Sequence, residues 1–340
     1  MPLLITSLIG CGLRPKVVQG TSGEHHQGDD ESPISESQDT STSHDDHLLG
    51  TPETLDIMTW NIEEFPKRGE ATIDAVIEVM ESLQIDLVAL QEISDIEAFE
   101  RMVDQMPGWE GYVQSEWYAG LAYLYRTDSI TVRANYEIYT TEEYWTAFPR
   151  SPQVMEFRFR SQEFVVINNH FKCCGDGLLE ERDSWDEETR RMDATNLLKD
   201  YIDTHFSTDR VIVMGDLNDS LTDTPSNNVF DSLLNDSDNY RFADMEIAEG
   251  ESTGWSFPSY PSHLDHILIT DELFGTLDHE DAQVSAVNVE QMLFDGWREY
   301  EQTVSDHRPV AFRIPLMDEC DPEPSKAAPA STFCEAGDSL

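Results

Sequence analysis

Lysine is nearly missing from this chain. The 340 residues contain five, and Lys and Arg together number 21 against 68 Asp and Glu, for a net charge of −47. That deficit excludes a broad basic footprint of the kind that grips long nucleic acid non-specifically at low salt. Cysteine is scarce as well, at Cys11, Cys173, Cys174, Cys320 and Cys334 only, and no Cys–His spacing suggests a zinc site. No apolar run is long enough to cross a bilayer. There is no internal repeat, and no Ser or Cys sits in a nucleophile arrangement. Residues 12–50 lack aromatics and are rich in Ser, Thr, Gly, Asp, Glu and His. Such a segment buries too little apolar surface to offset its ordering entropy.

These absences set the domain organisation. Residues 12–53 read as a disordered acidic tether, 54–316 as one folded domain, and 317–340, polar with Pro and Ala, as a flexible tail. The domain is large enough for a sizeable core. It also carries most of the charge, since residues 1–50 contribute −6 and residues 317–340 contribute −5, leaving −36. An acidic surface with so little Lys reads as adaptation to high salt, where screening removes self-repulsion. Cation buffering or a cationic partner is the alternative.

Residues 1–11 are a short apolar stretch ending Leu8-Ile9-Gly10-Cys11. They resemble the lipobox of bacterial lipoproteins, in which the Cys is lipidated, although the positive region of an ordinary signal peptide is missing. This places the protein outside the cytoplasm, lipid-anchored or secreted. Four cysteines then remain, an even set compatible with disulfides. Cys320–Cys334 is the simplest pairing, leaving Cys173-Cys174 as a vicinal pair or two thiols.

The hydrophobic pattern alternates helices and strands. Ile73, Val76, Ile77, Met80 and Leu83 form a helical stripe over 71–84, and 96–106 forms a second helix ended by Pro107-Gly108. Strands are expected at 55–58, 87–90, 121–125, 131–139, 154–159, 164–168, 211–214, 264–269, 283–288 and 309–314. A charged helix over 184–204 has Trp185, Met192, Leu197, Leu198 and Tyr201 as its stripe, and a short helix lies near 229–234. Two β-rich halves with helices outside make an α/β sandwich.

Against this background stand five polar motifs: Thr59-Trp60-Asn61, Gln91-Glu92, Asn168-Asn169-His170, Gly215-Asp216-Leu217-Asn218 and Ser305-Asp306-His307. Four follow an apolar run directly, so they sit at strand ends, on rigid supports facing one rim. Carboxylates, amides and imidazoles are a kit for a divalent cation and a phosphate. Singly, each motif could be a strand-end cap or a turn; five in order could not. In this order they resemble the endonuclease/exonuclease/phosphatase superfamily, over essentially the whole domain. The resemblance implies a four-layer α/β/β/α sandwich of two mostly antiparallel sheets, deoxyribonuclease I-like, and a metal-dependent phosphoric ester hydrolase.

The resemblance also implies roles. Glu92 is the primary ligand for Mg²⁺ or Mn²⁺, with Ca²⁺ also suited, a hard oxygen for a hard cation. Asn61 and Asp306 lie close to the metal. Asp216 activates water and Asn218 orients it. His170 and His307 donate to the phosphoryl oxygens as charge builds. Asp265, in Ser262-His263-Leu264-Asp265-His266, pairs with His307 and fixes its tautomer. Arg150 and Asn168 contact substrate phosphate. The Glu that orients the first His in nucleases is not recognisable near Glu116–Gly120. His263 and His266 read as loop and core residues, and Cys173–Gly177 as a Gly-containing loop that shapes the site. His307→Ala is expected to abolish turnover with little change in stability. The expected substrate is nucleic acid or another phosphodiester, with a small inositol-type phosphomonoester as the alternative. A non-catalytic binding protein retaining the fold is the alternative of another class. The protein is expected to be a monomer, attached to a membrane only through Cys11.

Overall fold

A computed structural model of the protein describes residues 50–113 and 119–316. The leader with Cys11, the tether through residue 49, Glu116, the Cys320–Cys334 pairing and the tail from 317 lie outside the described residues. The tether's last residues belong to the fold: Gly50 is buried and donates to Leu83 O (3.0 Å), and Thr51 N donates to Asp56 Oδ2 (3.0 Å).

One six-stranded sheet contains β1 (Thr54–Phe65), β2 (Leu87–Ile93), β3 (Trp109–Val113), β4 (Gly120–Arg126), β11 (Gln283–Ala286) and β12 (Val310–Pro315), in the order β11-β12-β1-β2-β4-β3. The other contains β5 (Ile130–Glu137), β6 (Gln153–Phe159), β7 (Gln162–His170), β8 (Val211–Asp216), β9 (Tyr240–Phe242) and β10 (Asp265–Thr270), in the order β5-β6-β7-β8-β10-β9. Two longer helices, α1 (Glu70–Leu83) and α2 (Ile96–Asp104), cover the first sheet, and α3 (Glu187–His205) covers the second. Shorter helices are α4 (Asp231–Leu234), α5 (Met245–Ala248), α6 (Phe274–Leu277) and α7 (Trp297–Thr303). The expected α/β/β/α sandwich is thus the observed fold.

Three cores follow from strand alternation. In β1, Leu55 and Ile57 face the second sheet, while Met58, Trp60 and Ile62 face the helices. In β8, Ile212 and Met214 face the first sheet, and Val211 and Val213 face α3. The apolar stripe of α1 packs as expected, with Ile73, Val76, Met80 and Leu83 buried. That of α3 packs in part: Leu198 is buried, and Met192, Leu197 and Tyr201 are half-buried against the core. Trp185 precedes the helix and is 71% exposed, and the buried face is Glu188, Thr189, Arg191, Ala194, Thr195, Leu198 and Ile202.

Two parallel pairs orient the molecule. β1 runs beside β2 with Asn61 opposite Gln91, and β7 beside β8 with His170 opposite Asp216. Antiparallel β10 places Asp265 opposite Asp216. Along the inter-sheet faces, each strand therefore changes from apolar to polar at the same rim.

Candidate active site

Beneath the rim lies a polar layer that is structural. Asn168 is fully buried. Its Nδ2 donates to Leu90 O and Ala122 O (both 3.0 Å), and its Oδ1 accepts from Gln91 Nε2 (2.8 Å). Gln91 also donates to Thr59 Oγ1 (3.1 Å). With every polar atom committed inside the sandwich, Asn168 joins the two sheets. This corrects the expectation that it contacts substrate phosphate.

One residue further, the motif side chains converge on a single oxygen. Asp216 Oδ2 accepts from Asn61 Nδ2 (3.0 Å) and has His170 Nε2 at 3.5 Å and His307 Nε2 at 3.8 Å. Gly215 makes this approach feasible, since a Cβ there would fall 1.9 Å from Asn169 O. Asp216 Oδ1 accepts the Asn218 N–H (3.1 Å), with Asn218 left-handed at φ 55° and its Nδ2 3.4 Å from Phe171 O. On the far side, His307 Nδ1 donates to Asp265 Oδ2 (2.7 Å), the pairing expected from sequence. Ser305 anchors this motif by donating to Asn61 O (2.6 Å) and accepting the His307 N–H (3.0 Å).

Glu92 breaks the alternation of β2. It adopts φ 66° at a bulge, a conformation unusual for a non-glycine residue and typical of functional positions. Its Oε1 accepts from Asn61 Nδ2 (3.2 Å) and lies 3.9 Å from His170 Nε2; Oε2 accepts Glu64 N–H (3.0 Å). Asp306 stands 3.9 Å from His307 Nε2, and its N–H donates to Glu63 Oε2 (3.1 Å). Sequence reasoning missed Glu63, which also pairs with Lys67. Its signal was available: Glu63 is an acidic residue two positions beyond Asn61, and its N–H donates to Asn61 Oδ1 (3.0 Å). Arg150 is half-buried, donates to Ala119 O (2.8 Å), and projects its charge onto His170.

Electrostatics separate the groups. Burial raises Asp216 to about 7, with Asp265 and Glu92 adding and His307 and Asn61 opposing. Burial disfavours a charged His307, yet the carboxylates of Asp265 and Asp216 outweigh it and hold the imidazole well above its ordinary value. His170 is held well below, by burial first and then by Arg150 and His307. One histidine is therefore a cationic donor and the other neutral. Among the described residues, His170 Nδ1 is buried without a hydrogen-bond partner.

The donor set fits a hard cation. Burial raises the Glu63 carboxyl, and Asp306 and Glu92 raise it further, so acidic oxygens crowd one another at this rim. Glu92, Asn61 and Asp306 carry the oxygens at this rim that could hold such an ion. Asp216, Asp265 and His307 also cluster with metal-ligand geometry, and within that cluster His307 Nδ1 bonds Asp265 directly. A second cluster, Asp244, His263 and His266, is satisfied without metal. His263 Nε2 and His266 Nδ1 contact Asp244 Oδ2 at 2.9 and 2.6 Å, while Ser256 N donates to His263 Nδ1 (3.4 Å) and fixes the proton on Nε2. These two histidines are core residues, as expected. Of the adjacent cysteines, Cys173 is a free exposed thiol and Cys174 is disulfide-bonded, so the pair is neither a vicinal disulfide nor two thiols.

Two facing sheets that deliver acids, amides and a cationic histidine to one rim define a phosphoric ester hydrolase of the α/β/β/α class. The chain belongs to the endonuclease/exonuclease/phosphatase family, whose model matches residues 58–307. Family members are phosphoric ester hydrolases that commonly use divalent metals. Among solved structures, zebrafish TDP2 complexed with a single-strand DNA product is 13% identical, covering 76% of this chain and 98% of that one at TM-score 0.56. The human Nocturnin catalytic domain with bound sulfate is 16% identical over 77% and 94%, at 0.55. A mannosyl-6-phosphatase of Bacteroides thetaiotaomicron is 15% identical over 76% and 98%, at 0.52. No curated protein sequence matches.

Proposed function

We propose that the protein is a divalent-metal-dependent phosphodiesterase, with nucleic acid as its leading substrate class. The observation that carries this reading is the convergence of Asn61, His170 and His307 on Asp216 Oδ2, within 3.0 to 3.8 Å. A carboxyl at about 7 is poised to take a proton from water near neutral pH. The Asn218 amide orients that water. His307, charged and fixed by Asp265, donates from Nε2 to phosphoryl oxygen as charge develops, and His170 adds a neutral donor. Mg²⁺ or Mn²⁺, held by Glu92, Asn61 and Asp306, supplies Lewis-acid neutralisation of the phosphate when bound. Arg150, beside His170, supports a substrate with a second phosphate in reach.

The test is turnover by the purified protein with Mg²⁺ or EDTA, at low and high salt. Plasmid DNA, RNA, bis-p-nitrophenyl phosphate and inositol polyphosphates are the probes. Metal-dependent nucleic-acid cleavage with little phosphate release is the expected result. Phosphate release from monoesters with intact plasmid would move the protein to the phosphatase branch and remove the role of Arg150. No turnover at all would leave a binding protein. The proposed location, lipid-anchored outside the cytoplasm through Cys11 or secreted, is supported by Leu8-Ile9-Gly10-Cys11. Palmitate labelling that persists in Cys11→Ser would refute the anchor.

A further inference from the structure

Helix α3 is charged on the face that packs against the protein. Arg191 is 2% exposed, and its guanidinium reaches four acceptors. Nε donates to Asp219 Oδ2 (2.7 Å), and Nη1 donates to the carbonyls of Lys172 (2.8 Å) and Cys174 (2.7 Å). Nη2 lies 3.2 Å from Glu188 Oε1, and that oxygen also accepts the Gly177 N–H (2.7 Å). The loop after His170 closes tightly on this carboxylate. Gly175, at φ 112°, would place a Cβ 2.2 Å from Glu188 Oε1. The opposite loop is tied on both sides, because Asp219 O sits 2.9 Å from His266 Nε2, whose ring is held by Asp244.

One buried side chain thus holds both loops that leave the catalytic strands. The first starts at Phe171, whose N–H donates to Asp216 O (3.0 Å); the second contains Asn218, directly before Asp219. An apolar stripe would bury α3 at lower free-energy cost than an arginine with two carboxylates. What it could not do is fix carbonyls of one loop and a carboxylate of another at set angles, which the planar guanidinium fork does.

We infer that Arg191 is a positioning residue for hydrolysis. Through Asp219 and the carbonyls of Lys172 and Cys174, it sets Asn218 against His170 and Asp216. This rests on the hydrolytic reading given above. The effect reaches the water-orienting amide, while Glu92 and Asn61, on the other sheet, keep the metal.

The experiment is a double-mutant cycle of Arg191→Lys with Asn218→Ala, using bis-p-nitrophenyl phosphate and Mg²⁺, together with amide hydrogen exchange of segments 171–177 and 217–223. Arg191→Lys is expected to lower kcat by about tenfold to a hundredfold, the scale of a small misplacement. KM and the Mg²⁺ activation midpoint should stay within about twofold. In the Asn218→Ala background the same substitution should cost less than about threefold, since the residue it acts through is gone. Exchange should quicken in both segments. An equal loss in both backgrounds, or quickened exchange in only one segment, overturns the inference. Should Arg191→Lys fail to fold, Asp219→Asn, which leaves the guanidinium in place, carries the same expectations. If the wild-type protein turns over no phosphoester, the hydrolytic reading fails, and hydrogen exchange alone decides whether Arg191 couples the loops.

Discussion

Replacing Asp216 with Asn should stop turnover and, in metal-free protein at pH 8, raise stability. The carboxyl is 2% exposed and titrates at about 7 against an ordinary 3.8. At 1.36 kcal/mol per unit, ionising it inside the fold costs about 4 kcal/mol more than ionising it in the unfolded chain. Between the two values the folded state holds the proton that the unfolded state has lost, so this group's stabilising contribution falls as pH rises from about 4 to about 7. Asn carries no charge but turns one oxygen into a donor, which conflicts either with Asn61 Nδ2 or with the Asn218 N–H, at about 1 kcal/mol or more. The net gain at pH 8 is therefore about 2–3 kcal/mol, or roughly 4–8 °C in melting temperature for a domain of this size. Thermal unfolding of both proteins in EDTA, at pH 5 and pH 8, measures it. At pH 5 only about 1.6 kcal/mol of that cost remains, which the donor conflict of Asn roughly offsets, so the gain should nearly vanish there. A variant less stable than wild type at pH 8, or equally stabilised at both pH values, refutes the reasoning.

His307→Ala should reduce turnover at least about 100-fold. The sequence expectation of unchanged stability does not survive the structure: Asp265, fully buried, would lose its Nδ1 partner. A loss of about 3–5 kcal/mol, read by urea unfolding, is expected instead, and an unshifted midpoint would show that water replaces the imidazole. Glu92→Gln should raise the Mg²⁺ concentration for half-activation by about tenfold or more, since a charged ligand becomes a neutral one; an unchanged titration removes Glu92 from the metal. Activity should survive or rise at molar salt, where the −47 charge is screened. Inactivation or unfolding there ends the high-salt reading.

What was legible in the sequence followed from periodicity. Apolar runs located β1, β7 and β8, and the polar residues following those runs named Asn61, His170 and Asp216 as site residues. The polar layer beneath was not separable from the site on that basis. Asn168 and His170 share a strand face two residues apart, and only the facing sheet, through Leu90 O and Ala122 O, shows that the first is a tie between sheets. Short β9 and α7 escaped because three and seven residues carry too little pattern. The α3 stripe holds for Met192, Leu197, Leu198 and Tyr201, and fails elsewhere for a chemical reason. Arg191 and Glu188 look like solvated positions on a helix, and Trp185 looks like core. Their true places depend on partners at Lys172, Cys174 and Asp219, at separations no helical period encodes.

The same charges explain how the rim works before any ion arrives. Asp216 lies among hydrogen-bond donors, and Glu92 is fixed by Asn61 and the Glu64 N–H, so their geometry is set by neutral groups and one imidazolium. A fully neutralising arginine at this position would settle the carboxylates and remove their demand for a cation. The nearby guanidinium, Arg150, bears on His170 instead, adding to the burial that holds its value down. Arg191 is spent on Glu188 and Asp219. Lys67 pairs with Glu63, which leaves three carboxylates, Glu63, Glu92 and Asp306, against one ammonium at the rim. A divalent cation there stabilises the fold as it binds, by the linkage that makes apparent stability rise with ligand concentration. Mg²⁺ should accordingly raise the melting temperature of the wild type in proportion to the logarithm of its excess over the dissociation constant, and do so less in Glu92→Gln.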